Sequence, residues 1–218
     1  MGKSTILQSL LLLRQSLDEE TTIKSLKLNG NYVALGNGQD VLYRRAGSDE
    51  IKLTIWEDQF INSYSFHYDP NSSILPLISD NSSFRSISKS ILFGSHFLYL
   101  SSARIEPSIN YRTIADPSQL ESHEFGVNGE FSLQYLAEHG DDNVLCTSAI
   151  RATESNTEKR SLLSQVQFWC NEISPGVSPH IQVDSLRRTV DLFYDYREGD
   201  TRSDYYKSIN VGFGITYV

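Results

Sequence analysis

The spacing of apolar residues near the start of the chain predicts a helix over residues 4–17. The apolar positions recur about every 3.6 residues, at Ile6, Leu10, Leu13 and Leu17. Further leucines at positions 7, 11 and 12 widen this stripe until the helix is apolar almost all round. We therefore expect the helix to lie inside a domain, packed on a sheet.

Short alternating runs predict an antiparallel β lobe over residues 23–68. The predicted strands cover residues 26–29, 32–35, 41–44, 51–56 and 64–68. Gly30-Asn31 is typical of a hairpin turn between the first two runs, and Gly47-Ser48-Asp49 separates the third run from the fourth. One face of this lobe should be packed and the other exposed to water.

A polar stretch follows the lobe. Residues 69–90 are rich in Ser, Asn, Asp and Pro, which predicts a long, mobile connection. Residues 96–100 are almost continuously apolar, as in a strand buried on both faces. Such a strand would bring residues 101–107 to one end of a sheet.

The rest of the chain predicts two helices and a strand pair. A short helix should run from Gly129-Glu130 to His139-Gly140. A second helix is predicted over residues 161–173, with inward positions at Leu162, Val166, Trp169 and Cys170. Residues 181–183 and 189–194 predict two late strands. The fold class is therefore α+β, an antiparallel β lobe plus helices.

Charge and composition narrow the function classes. The 218 residues suit one large domain or two small ones, and 12 Tyr with 10 Phe favour substantial β structure. The formal net charge of −8 has the wrong sign for a protein that binds the phosphate backbone of nucleic acid by itself. The longest apolar run, residues 6–13, is too short to span a bilayer, so we expect no membrane contact.

The cysteines indicate a reducing compartment. Cys146 and Cys170 form neither a CxxC pair nor a dense framework, so both are interpreted as thiols in a cytoplasmic protein. The five histidines are scattered without metal-ligand spacing.

The opening residues carry the sharpest chemical signal. Gly2-Lys3-Ser4-Thr5 running into a helix matches the second half of a phosphate-binding loop, or Walker A motif. In such a loop the Lys reaches the β- and γ-phosphates, the following hydroxyl binds Mg²⁺, and backbone N–H groups hold anionic oxygens. The full motif needs a Gly five positions before Gly2. On these residues alone, a polar tail in which Ser4 caps the helix is an equal alternative.

The chain as a whole resembles a group of bacterial predicted AAA/ABC-type ATPases, related to the overcoming-lysogenization-defect and SMC-like ATPases. The phosphate-loop helix of that family continues much as residues 4–16 do here. Further similar segments follow in the family's order and cover nearly the whole chain: 28–30 with 33–36, 40–43, 99–107, 126–130, 173–177 and 210–214.

The resemblance implies a site that two subunits share. In the family, a segment like Asn210-Val211-Gly212-Phe213-Gly214 takes the place of the ABC signature motif. It would contact, through Asn210, Gly212, Phe213 and Gly214, a nucleotide held by the opposite subunit, so that ATP closes a head-to-tail homodimer. Without the family, a glycine-containing turn before a buried segment would be the preferred interpretation.

Two further polar residues have open roles. Arg104 follows the predicted buried strand and could bind phosphate; pairing with Glu106 or Asp116 is an equal alternative. Glu130 is interpreted as a helix-start acid without chemistry.

Compared with the family, the chain would start late in the phosphate loop and stop before the acidic strand that holds Mg²⁺. We therefore expect one ATPase-head domain over residues 1–218, truncated at both ends, with an incomplete central sheet. Its parts would be a phosphate-loop helix (1–22), the antiparallel lobe (23–68) and a mixed lobe (69–218). The chain could be part of a longer protein, a truncated gene product, or one of two chains.

The resulting functional hypothesis is an ATP- and Mg²⁺-binding ABC-type ATPase fragment. Its nucleotide-driven dimerisation would gate an effector protein in DNA metabolism or antiphage defence, as the resemblance implies. No catalytic residue is identified, and the chain alone should hydrolyse little or no ATP. The alternative is a non-enzymatic interaction or structural module. Direct DNA binding by this chain is least favoured, given its charge.

Overall fold

The fold is described from a computed structural model of the chain. It describes residues 2–18, 21–57, 60–82, 87, 89–94, 97–114, 125–144, 153–154, 157–158, 161–196, 204–212 and 214–215. These residues fall into two compact units, Met1–Tyr99 and Leu100–Val218, which are taken in turn. The single head domain expected from the sequence stays a prediction.

The first unit opens with the expected helix, α1, at Lys3–Ser16. Only its second half is buried, through Leu11, Leu12 and Leu13. The sequence predicts that the whole helix is buried in the domain. This expectation is wrong for its first turns, because Ile6 and Leu7 are 65% and 56% exposed.

An antiparallel sheet forms the other layer of this unit. Its strands are β1 (Ser25–Lys27), β2 (Glu50–Glu57), β3 (Phe60–His67) and β4 (Ile74–Asp80), in the spatial order β1-β4-β3-β2. β2 pairs with β3 in unbroken register, and a bulge interrupts the β3–β4 pairing between Ser65 and Phe66. The antiparallel lobe is therefore confirmed, although it extends past residue 68.

Two predictions in this region are wrong. Part of the supposed connection 69–90 forms β4. The expected strand 41–44 is absent, and Gly38–Val41 forms a short helix, α2. The Asp40 carboxylate accepts a hydrogen bond from the Asn37 N–H, while the Gly38 N–H bonds to the Ser72 carbonyl. These contacts satisfy two N–H groups at the start of α2.

The first predicted hairpin forms only as a turn. The Leu35 N–H bonds to the Leu28 carbonyl, and a single bridge joins Asn29 to Ala34, so residues 32–35 make no strand. The predicted buried strand at 96–100 is also wrong for the described residues 97–100, which form no strand. Leu98, in that run, is 52% exposed.

The core of the first unit lies between α1 and the sheet. Tyr64 and Phe66 from β3 are fully buried and stack with their ring centroids 6.4 Å apart. Burial raises the pKa of the Tyr64 phenol. The remaining fully enclosed members of this core are aliphatic: Leu13, Ile23, Leu26, Leu28 and Leu75.

The second unit contains the two predicted helices and the late strand pair, all confirmed. The helices are α3 (Ser132–His139) and α4 (Leu162–Ile173), and the strands are β8 (Val177–Asp184) and β9 (Thr189–Tyr196). β8 pairs with β9 over its whole length; the short strands β5 (Tyr111–Arg112) and β10 (Tyr205–Lys207) also pair with β9. A separate two-stranded pair joins β6 (Thr153–Glu154) and β7 (Thr157–Glu158).

A small aromatic core fills the second unit. Tyr111, Val177, Leu192 and Tyr194 form its buried cluster, and burial raises the pKa of the Tyr194 phenol. Of the expected inward positions on α4, Cys170 is buried, whereas Trp169 is 43% exposed. That expectation is wrong for Trp169.

Helices and antiparallel strands together make the chain α+β. Among the described residues, no helix has both the length and the apolar character needed to cross a bilayer.

Candidate functional site

The start of α1 has an unusual backbone for a helix end. Gly2 has φ 107° and ψ −16°, a left-handed conformation that favours glycine. The first intrahelical hydrogen bond runs from the Ile6 N–H to the Gly2 carbonyl at 3.1 Å. The N–H groups of Lys3, Ser4 and Thr5 therefore lack helical acceptors.

These donors are also open to solvent. Gly2, Lys3, Ser4 and Thr5 are all exposed, and no side chain caps the helix. The alternative in which Ser4 caps the helix is wrong, since α1 begins at Lys3 and Ser4 lies within its first turn. Free N–H groups at a helix start, beside a left-handed glycine and a lysine, form a geometry that favours an anion.

The signature-like segment lies in the second unit and is exposed. Its first residue, Asn210, is the last residue of a 3₁₀ helix at Ser208–Asn210, and a turn then closes with the Ile215 N–H bonded to the Gly212 carbonyl at 3.0 Å. A Cβ added at Gly212 or Gly214 would meet nothing within 4 Å. Neither glycine has a positive φ. Within the described part of the chain, neither backbone strain nor packing explains why these positions are glycine. Phe213 lies outside the described residues.

Arg104 is held by its own loop. Its Nη1 donates a 2.6 Å hydrogen bond to the Ser101 carbonyl, and no ion pair with Glu106 forms. The other proposed partner, Asp116, lies outside the described residues. One guanidinium N–H is thus used locally, while the remaining donors could bind an anion.

The structure links the Arg104 segment to the signature-like segment. Ile105 and Val211 pack against the same buried cluster around Tyr111. The Ser208 hydroxyl donates a hydrogen bond to the Ser108 carbonyl, and Ser208 is fully buried. This connection was not predicted, because no pattern in the sequence relates two serines 100 positions apart.

An open cavity of about 560 Å³ lies beside the same loop. Its walls include Glu106, Tyr111 and Arg112 from one segment, and Glu130 and Phe131 from the residues just before α3. The carboxylate of Glu130 accepts a 2.8 Å hydrogen bond from the Asn128 N–H, within the turn before α3. The expectation of a helix-start acid is wrong, because α3 begins at Ser132 and has no acidic residue in its first turn. Sequence reasoning did not anticipate the cavity.

Metal ligands are sparse. Among the residues that the structure describes, no group of three or more His, Cys, Asp or Glu side chains could hold a metal ion. The hydroxyl of the exposed Ser4 could bind Mg²⁺ that is held together with a nucleotide.

The predicted site residues form two groups. Gly2, Lys3, Ser4 and Thr5 lie together in the first unit, whereas Arg104, Asn210, Gly212 and Gly214 lie in the second. Comparison of the chain with protein-family models, with curated proteins and with solved structures gives no match.

Proposed function

We propose that the chain contributes a nucleotide-binding surface to an ATPase of ABC type. The observation that carries this proposal is the start of α1, where a left-handed glycine precedes three exposed N–H groups without helical acceptors. A phosphate chain needs such donors, and the residues present fit it.

Each residue of this group has a distinct role. The N–H groups of Lys3, Ser4 and Thr5 would bind phosphate oxygens, and the Lys3 ammonium would balance their charge. The Ser4 hydroxyl would bind Mg²⁺. When bound, Mg²⁺ and ATP would supply the phosphoryl chemistry.

The open signature-like segment supports the second half of the proposal. Glycines without a packing reason allow another molecule to approach the backbone closely. Asn210, Gly212 and Gly214 would face the nucleotide of a second subunit, as would Phe213, and ATP would then drive a head-to-tail dimer. That dimer would gate an effector protein in DNA metabolism or antiphage defence. Arg104 could add a phosphate contact.

The test measures thermal unfolding with and without Mg²⁺·ATP. A ligand that binds only the folded state at one hundred times its Kd stabilises that state by about 2.7 kcal/mol. We expect ATP to raise the Tm of the natural chain and of Lys52→Ala, an exposed control on β2. Lys3→Ala should abolish the shift. An unchanged Tm for the natural chain would contradict nucleotide binding and favour the alternative of a non-enzymatic interaction or structural module.

Turnover gives a second, separate readout. The chain by itself should show little ATP hydrolysis, since no described cluster of acids could hold the metal. A clear rate that Lys3→Ala removes would contradict this expectation. Retention on DNA at physiological salt would revive direct DNA binding, which the charge of −8 disfavours.

A further inference from the structure

The cavity in the second unit has a charge pattern that nothing in the proposed nucleotide site explains. Its walls carry one cation, Arg112, and two anions, Glu106 and Glu130. Its volume of about 560 Å³ lies within the range of small-molecule sites. Pro107 and Phe131 add apolar wall.

The charged groups are available to a ligand. Among the described residues, none gives the Arg112 guanidinium or the Glu106 carboxylate a hydrogen bond or ion pair. Glu130 uses one carboxylate oxygen, Oε2, for the Asn128 N–H, which leaves Oε1 free to accept. Arg112, Glu106 and the free Oε1 of Glu130 line one cavity and are together complementary to a ligand of opposite charges.

A buried phenol adds a donor to the same wall. Tyr111 is 5% exposed, and its hydroxyl accepts a 3.0 Å hydrogen bond from the Ser108 N–H. The phenolic proton is therefore still able to donate, since a tyrosine hydroxyl both accepts and donates.

The wall is also held in place before any ligand arrives. The Ile105 N–H bonds to the Asn128 carbonyl at 2.9 Å, Tyr111 holds the Ser108 N–H, and Ser208 holds the Ser108 carbonyl. A loop fixed at three points loses little freedom on binding, which favours recognition of a small molecule.

We propose that this cavity binds a basic amino acid, free L-lysine or L-arginine. Such a molecule carries one carboxylate and two cationic groups, the complement of one Arg and two Glu. The ligand carboxylate binds Arg112 and the Tyr111 hydroxyl. The α-ammonium and the side-chain cation bind Glu106 and Glu130, and the methylene stem lies against Pro107 and Phe131.

The test is calorimetric titration of the whole chain with L-lysine and L-arginine. Two analogues of lysine separate the charges: cadaverine lacks the carboxylate and norleucine lacks the side-chain ammonium. We expect saturable binding of L-lysine or L-arginine, and binding at least about tenfold weaker for both lysine analogues, the effect of losing one charge-assisted contact.

Variants connect the binding to the cavity. Arg112→Gln and Glu106→Gln should each weaken binding about tenfold or more, whereas Arg187→Gln, on the β8–β9 turn, should leave it unchanged. Both cavity side chains are exposed, so the variants should keep the natural Tm. No saturable binding of either amino acid, or binding that neither cavity variant changes, would overturn the proposal. Neither result bears on the proposal that ATP binds at α1, which is tested separately.

Discussion

Gln15 and Val33 bind each other through two hydrogen bonds, although one belongs to a helix and the other to a loop. The Val33 N–H donates to Gln15 Oε1 at 3.1 Å, and Gln15 Nε2 donates to the Val33 carbonyl at 3.2 Å. The same amide nitrogen donates to the Lys27 carbonyl at 2.7 Å. A side-chain amide thereby satisfies backbone groups that a neighbouring strand would otherwise pair.

Gln15→Glu should destabilise the first unit, because the carboxylate keeps an acceptor for Val33 but cannot donate to two carbonyls. We expect a loss of about 1–3 kcal/mol in the free energy of unfolding, measured by urea denaturation. Gln8→Glu, on the same helix and without a hydrogen bond among the described residues, is the control. Equal effects of the two variants would show that the amide network contributes nothing.

Leu13 and Leu7 both belong to α1 but differ in burial. Leu13 is 1% exposed and Leu7 is 56% exposed. Leu13→Ala should cost about 2–5 kcal/mol, through lost burial and the cavity left behind. Leu7→Ala should change stability by less than about 0.5 kcal/mol. A large loss of stability for Leu7→Ala, measured by thermal unfolding of the isolated chain, would mean that Leu7 is buried in solution.

Gly38 has no room for a side chain. A Cβ built there would lie 2.1 Å from the Asp69 carbonyl oxygen, while a Cβ at Gly47 would meet nothing within 4 Å. Gly38→Ala should therefore destabilise the first unit by about 1–3 kcal/mol, because the backbone at Asp69 must move to make room for the new Cβ. Gly47→Ala is the matched control and should be close to neutral. Thermal unfolding of both variants measures the difference in their stability. Equal stability would show that the turn at Asp69 shifts freely to make room for the side chain.

Asp18 binds Thr22 and Lys24 through its carboxylate and should titrate abnormally. Its pKa is lowered from 3.8 to about 2, first by the Thr22 N–H at 2.8 Å and then by Lys24. Because the folded pKa is depressed, this stabilisation is present above the ordinary pKa of 3.8 and is lost as the pH falls through about 2.

An NMR titration of the Asp18 carboxyl carbon measures this pKa directly. Asp18→Asn should flatten the acid side of the stability profile, whereas Asp141→Asn, in an exposed turn, should not. A midpoint near 3.8 would contradict the role of the Thr22 contact.

Cys170 should react slowly in the folded chain. The thiol is buried, and burial raises its pKa above the ordinary 9.0, so little thiolate forms near neutral pH. In a Cys146→Ser background, Ellman's reagent should label Cys170 far more slowly in buffer than in denaturant. The native rate should keep rising with pH beyond 9.0. Fast native labelling would show that α4 opens readily.

The sequence by itself determined the elements whose pattern is strong and local. The 3.6-residue period located α1, α3 and α4, and β-branched or aromatic alternation located β2, β3, β8 and β9. It also identified the motif at Gly2-Lys3-Ser4-Thr5, because that signal depends on neighbouring residues alone.

Tertiary structure decided what the local pattern left open. Residues 32–35 alternate like a strand, but Gln15 pairs with the N–H and carbonyl of Val33, and the Leu35 N–H bonds to the Leu28 carbonyl, so no ladder forms. Asp40 and the Ser72 carbonyl accept hydrogen bonds from the Asn37 and Gly38 N–H groups, so that the short helix α2 forms at Gly38–Val41 and the predicted strand 41–44 is absent. The cavity at Arg112 likewise depends on the contact between Ser108 and Ser208, 100 positions apart. Such contacts depend on distances in the folded chain that sequence periodicity does not encode.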